Sequence, residues 1–176
     1  MALPNLEAQL KTVSEAAQNF VDSYYEALNK RRDTSAFYAT TSPKLTAAGV
    51  VPDISINGHV LGPDAKTARD LLVDSRGPNV HYEVGSFDAH PVNVNYAVGA
   101  DAVNNTGSNL SSRNERISFA VQVSGAVKYG KSGEDGFLEQ AFTEAWLLVP
   151  HWEAQGPKAP RGLRRWVVVS QNFRAL

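Results

Sequence analysis

The 176-residue chain has no cysteine, which excludes disulfides, thiolate metal sites and cysteine nucleophiles together. It also lacks an excess of either charge. Seventeen Lys and Arg stand against 18 Asp and Glu, so no global field draws the protein to nucleic acid or to an anionic membrane, and such binding has to be local or shared. No apolar run approaches the ~18 residues of a membrane helix, and Met1 to Glu7 shows no basic stretch leading into an apolar one, the pattern of a secretory leader. A soluble protein kept inside the cell is expected, with no membrane partner. The glycosylation-like Asn104-Asn105-Thr106 and Asn109-Leu110-Ser111 are read as accidental in that setting. His59, His81, His90 and His151 have no metal-ligand spacing, and neither a phosphate-cradling Gly-x-x-x-x-Gly-Lys-Ser/Thr loop nor a Gly-x-Ser-x-Gly elbow occurs. No metal and no cofactor are expected.

What is present is enough apolar residue, 43%, to bury one core, so residues 1–176 are expected to form a single domain. Leu6, Leu10, Val13, Ala17, Phe20, Val21, Tyr24 and Leu28 recur at steps of three and four, one face of a long helix ending near Lys30-Arg31-Arg32. A short helix is expected to hold Phe37 and Tyr38, closed by a turn at Thr41-Ser42-Pro43. Asn57-Gly58, flanked by alternating apolar residues from Ile54 to Leu61, predicts a hairpin with a type I′ turn. Pro63-Asp64-Ala65-Lys66 opens a third helix, which Gly77-Pro78 ends.

Beyond Gly77 the period changes to two. Val80 to His90, Val92 to Val98, Arg116 to Tyr129, Leu138 to Val149 and Arg165 to Phe173 read as strands rich in Val, Phe, Tyr and Trp. Helices first and antiparallel strands later imply an α+β fold. Gly99 to Asn114 and Gln155 to Gly162 are polar loops between neighbouring strands.

Asp88 and His90 lie two apart on one strand, the spacing of a possible acid/base pair. The plainer reading has Asp88 accepting from backbone donors beside Pro91. Lys158, Arg161, Arg164, Arg165 and Arg174 form a basic tail with no acid after Glu153, either solvated charge or a contact for RNA phosphates or an acidic partner. The long strands are apolar on both faces. One face of Leu138 to Val149 carries Leu138, Phe142, Trp146 and Leu148, the other Ala141, Ala145, Leu147 and Val149; on the last strand Trp166 and Val168 oppose Val167, Val169 and Phe173. Such strands need cover on both sides. The alternatives are a second internal layer and a protein partner, and the few helices favour the partner.

The Phe20-Val21-Asp22-Ser23-Tyr24-Tyr25 block, Phe37-Tyr38, Asp88-Ala89-His90-Pro91-Val92 and the closing Trp166-to-Arg174 strand, in this order and spacing, resemble the nuclear transport factor 2 family. The resemblance spans nearly the whole chain. It implies three N-terminal helices packed into the concave side of a strongly bent antiparallel sheet whose outer face makes a dimer. Within the family the chain is most similar to the small subunit of the fungal messenger RNA export heterodimer. That branch implies a non-enzymatic adaptor. Its partners are a large TAP-type export subunit, Phe-Gly nucleoporins and, through Lys158, Arg161, Arg164 and Arg165, RNA; its locations are the nucleus and nuclear pore complex, shuttling to the cytoplasm. Partner contacts are expected from Phe142, Trp146, Leu148, Trp166, Val168 and Arg174, with Arg174 resembling an arginine that pairs with a carboxylate of the larger subunit. Two alternatives stand beside this: a homodimeric import carrier of GDP-bound Ran, and a small cavity isomerase or dehydratase acting through Asp88 and His90.

Overall fold

A computed structural model describes residues 4–100, 115–130, 137–155 and 159–176. Most of the Gly99 to Asn114 loop, both glycosylation-like triplets and Lys158 lie outside the described residues.

The apolar stripe becomes α1 (Leu6–Asn29), capped by the Asn5 side chain, which accepts from the Ala8 N–H at 2.8 Å. Its first two stripe residues, Leu6 and Leu10, stay exposed, whereas Val13 through Leu28 are buried. At its far end Arg31 takes a positive φ of 55°, and the Arg69 guanidinium donates to the Arg31 and Arg32 carbonyls. Phe37 ends the 3-10 turn Ser35–Phe37, and Tyr38, extended, links it to a second turn at Ala39–Thr41, in place of the expected short helix. Pro43 does not stop the chain there: it sits in the first turn of α2 (Pro43–Ala47), where a missing N–H costs nothing, under the Ser42 cap. Asn57 and Gly58, with φ of 49° and 85°, join β1 (Asp53–Ile56) to β2 (His59–Gly62) as the hairpin reading requires. Asp64 caps α3 (Ala65–Leu72), and a 3-10 turn at Asp74–Arg76 follows before Gly77 turns the chain at φ 92°.

The remaining strands are β3 (His81–Asn93), β4 (Ser118–Gly130), β5 (Phe137–Pro150) and β6 (Trp166–Ala175). All six form one sheet in the order β2-β1-β6-β5-β4-β3. Every pairing is antiparallel except β1 with β6, which run parallel. Residues 94–98, expected to be a strand, are turn and coil; the single strand β3 runs through Pro91 instead. Pro91 is tolerated because β3 is an edge, where an absent N–H breaks no ladder on the outer side. Asn29 guards the same edge: it donates to the Tyr82 carbonyl at 2.9 Å and accepts from the Tyr82 N–H at 2.7 Å.

A bulge between Val84 and Ser86 lies opposite Gly125, and bulges bend the strand that carries them. A Cβ on Gly125 would sit 2.2 Å from the Glu83 carbonyl oxygen and 2.8 Å from the Phe142 ring, so only glycine passes there. The inner side of the bend is filled by α1. Tyr24 meets Trp146 edge-on at 4.6 Å, Tyr25 meets Phe142 at 5.7 Å, and Phe142 stacks on Phe173 at 5.4 Å. Each such pair adds about 0.5–1.5 kcal/mol beyond the area it buries. Among the described residues no helix is long and apolar enough to cross a membrane.

Candidate partner face and buried polar cluster

Because side chains alternate along a strand, whatever points away from α1 builds the opposite face. Register places Ser170, Asn172 and Arg174 of β6 beside Leu147, Ala145 and Thr143 of β5. Ala145 and Leu147 stand beside Gln122 and Ala120 of β4, and these beside Asp88 and His90 of β3. The patch is small-surfaced and polar, with Leu147 its largest aliphatic side chain. Ala145, Gln122, Asn172, Arg174, Asp88 and His90 are exposed and Leu147 is half-buried. At one end only is this face covered by the chain itself: Val149 and Val167 pack with Ala39, Leu45 and Trp152 in a second cluster. Asp88 accepts no hydrogen bond among the described residues, contrary to the expected backbone contact, and it faces solvent. No group of three or more His, Asp or Glu among the described residues is placed to hold a metal ion.

The expected partner contacts are therefore corrected for most of their members. Phe142, Trp146, Leu148 and Val168 are 0–2% exposed and belong to the core under the helices. Trp166 is partly buried against the same core, its indole N–H donating to the Ile117 carbonyl at 2.9 Å. Arg174 alone of the six lies exposed on the uncovered face, opposite Thr143. The assignment failed on β6 because a bulge between Leu148 and Leu147 of the β5 partner drops Val169 out of register. Trp166 and Val168 before it, and Gln171 and Phe173 after it, consequently share the inner face. On β5 both faces are apolar, and Phe142 and Trp146 take the inner one because their rings fill the volume beneath α1.

The basic tail is divided in the same way. Arg164 lies half-buried with its guanidinium 4.0 Å over the Phe37 ring. Arg165 is ion-paired to Glu115 at 2.5 Å. Arg161 is exposed. Two of the expected phosphate contacts thus already have intramolecular partners.

A polar cluster that the sequence reading missed lies in the middle of the core. Glu144, 1% exposed, accepts from the Tyr25 hydroxyl at 2.6 Å on one oxygen and from the Gln171 side-chain amide at 2.8 Å on the other. Tyr38 donates to the Gln171 amide oxygen at 2.6 Å, and Gln171 also reaches the Tyr24 hydroxyl at 3.2 Å. Burial pushes the Glu144 carboxyl up to about 8, against the pull of its two hydrogen bonds; no cation among the described residues is paired with it, and burial raises the surrounding tyrosines as well. The signal was present: Glu144 is an acid of the same strand parity as Phe142 and Trp146. A carboxyl with this proton affinity suits acid/base chemistry, but both of its oxygens are engaged and rings enclose it, so it acts as an internal tie between α1, β5 and β6.

A long helix laid on one face of a bent sheet, with α2 covering only one end of the other face, defines a protein of the nuclear transport factor 2-like class. No protein-family model and no curated protein matches the chain, but solved structures do. A structure of a Sac3N peptide bound to Mex67:Mtr2 aligns with a TM-score of 0.79 and 30% identity, covering 94% of this chain and 99% of that one. The Chaetomium thermophilum Mex67 NTF2-like domain complexed with Mtr2 aligns at 0.78 with 29% identity, and a structure of Mtr2 at 0.77 with 26%, both over 94% of this chain and 99% of the other. The chain belongs to the Mtr2 family within the nuclear transport factor 2-like class.

Proposed function

We propose that this chain is the small, non-enzymatic subunit of a messenger RNA nuclear export heterodimer, joined through its uncovered sheet face to a large Mex67-type subunit. Likeness to Mtr2 over 94% of the chain carries the reading, and the exposed, small-surfaced face around Ala145, Asn172 and Arg174 supplies a place for the partner. Sheets pack about 10 Å apart, and side chains of this size let a second sheet approach that closely. Arg174, on the rim of the patch, is the candidate for an ion pair across the interface. The whole chain, 1–176, acts as one domain in this proposal. Enclosure of Glu144 and exposure of Asp88 and His90 favour an adaptor over a cavity enzyme.

By resemblance the heterodimer serves at the nuclear pore, meets Phe-Gly nucleoporins, and touches RNA through Arg161 and Lys158 more than through Arg164 and Arg165. RNA affinity that does not change with salt would exclude phosphate contacts. The primary test is mass in solution by light scattering, for the chain alone and co-expressed with a Mex67-type NTF2-like domain. A stable one-to-one complex is expected. A homodimer that ignores the Mex67-type subunit and binds GDP-loaded Ran would replace this proposal with the import carrier.

A further inference from the structure

On the helix side of the sheet, away from the proposed partner face, a pocket of about 750 Å³ opens between α1 and the segment entering β6. Sites for small ligands and short peptide segments occupy ~300–1,000 Å³. The floor is apolar and fixed. Phe20 packs edge-on against Trp146 at 5.1 Å, while Trp166 is anchored by its indole hydrogen bond and by Phe119 at 5.9 Å. One wall is the outer stripe of α1, where Thr12, Glu15 and Asn19 recur at helical spacing.

The other wall presents Arg164. Its guanidinium lies over the Phe37 ring at 4.0 Å and makes no hydrogen bond or ion pair with any described residue. Burial lowers its pKa from the ordinary value, with no carboxylate acting the other way. Arg165 beside it is neutralised by Glu115, so Arg164 is the cation left for a ligand. Stacking occupies the faces of a guanidinium and leaves its N–H edge for a planar two-oxygen acceptor.

We propose that this pocket binds an extended peptide segment of another protein in which a large aliphatic side chain is followed directly by an acidic residue. The aliphatic group rests on Phe20 and Trp166, the carboxylate takes the Arg164 edge, and peptide N–H and C=O groups meet Asn19, Thr12 and Glu15. Glu15 at the pocket, Glu115 being already paired with Arg165, favours a peptide, whose backbone N–H groups it accepts from, over a polyanion such as RNA, which it repels. The proposal does not depend on the heterodimer, because none of these residues lies on the uncovered sheet face.

The test is an NMR titration of the isotope-labelled full chain, alone or held in its heterodimer, with the blocked peptide acetyl-Gly-Ser-Leu-Asp-Ser-Gly-amide. Shifts are expected at Asn19, Phe20 and the Trp166 indole N–H, with affinity falling at least about fivefold for the Leu-Asn peptide and for Arg164→Gln, as loss of a charge-assisted pair requires. Ala16→Gln, on the α1 wall, should block binding while leaving Arg164 in place, and a dispersed spectrum shows that each variant is folded. Equal affinity for the Leu-Asp and Leu-Asn peptides overturns the proposal. So do shifts confined to Gln122, Ala145 and Asn172, or no shift up to about 5 mM peptide, a ceiling near −3 kcal/mol. Displacement of the peptide by oligouridine, dependent on Arg164, would assign the pocket to phosphates and overturn the peptide class.

Discussion

The two faces of the sheet differ in side-chain size as much as in polarity. Beneath α1 stand Phe119, Phe142, Trp146 and Phe173, all 0–2% exposed, with Trp146 and Phe142 meeting the aromatic rings of the helix and Phe142 stacking on Phe173. Across the same strands the reverse side offers Ala, Ser, Thr, Gln and Asn, with Leu147 near the centre and Arg174 at the rim. The centre of the first face is closed, since its rings pack together and Glu144 among them is hydrogen-bonded on both oxygens. The second is nearly flat, which suits contact with another flat surface. A face can thus be ready for a partner without being strongly apolar, because close approach and backbone-level complementarity need small side chains rather than large ones.

Substitutions on the two faces should therefore separate stability from assembly. Trp146→Ala empties the centre of the covered face and should lower unfolding free energy by about 3–5 kcal/mol, read by chemical denaturation of the isolated chain. Glu144 gives the covered face a pH signature. Its folded-state pKa, about 8 against an ordinary 4.5, lies above the unfolded one, so the folded state holds the proton more tightly. Stability from this group is complete below pH ~4.5, declines as pH rises from there to about 8, and is flat above. The melting temperature should fall over that window. In Glu144→Gln the fall should vanish and the melting temperature at pH 8.5 should exceed that of the parent. The new amide is accommodated if the Gln171 amide flips, accepting from residue 144 and donating to Tyr38.

On the uncovered face the expected order reverses. Ala145→Arg should weaken the complex with a Mex67-type subunit by tenfold or more, about 1.4 kcal/mol at least, measured by calorimetric titration. Its effect on the melting of the chain alone should be small, within about 0.5 kcal/mol. Arg174→Ala should weaken the complex by about 1–2 kcal/mol if it meets a carboxylate there, and that loss should shrink when the carboxylate is removed as well. Ser124→Ala should alter neither measurement by more than about 0.5 kcal/mol. Loss of chain stability in Ala145→Arg equal to that in Trp146→Ala would erase the distinction between the faces.

Much of this was legible because local rules act within a few residues. The three-and-four spacing from Val13 to Leu28 fixed α1 and its buried side, since only one face of a helix can meet a sheet. Asn57-Gly58 fixed the hairpin, because a type I′ turn requires two positive φ angles. The order of aromatic blocks pointed to the family. The parallel pairing of β1 with β6 was not legible, as it joins segments more than a hundred residues apart.

Sequence by itself determined that this protein has one long amphipathic helix, a following set of strands of period two, and no cysteine chemistry. Tertiary structure alone decided which side of each strand faces the helix. Alternation is symmetric under exchange of the two faces, and a single extra residue reverses it. Val169 is that residue on β6: it puts Phe173 under α1 together with Trp166 and Val168 and leaves Arg174 outside. Likewise, only packing enclosed Glu144, because its partners Tyr25 and Gln171, and Tyr38 that holds Gln171, arrive from three distant parts of the chain.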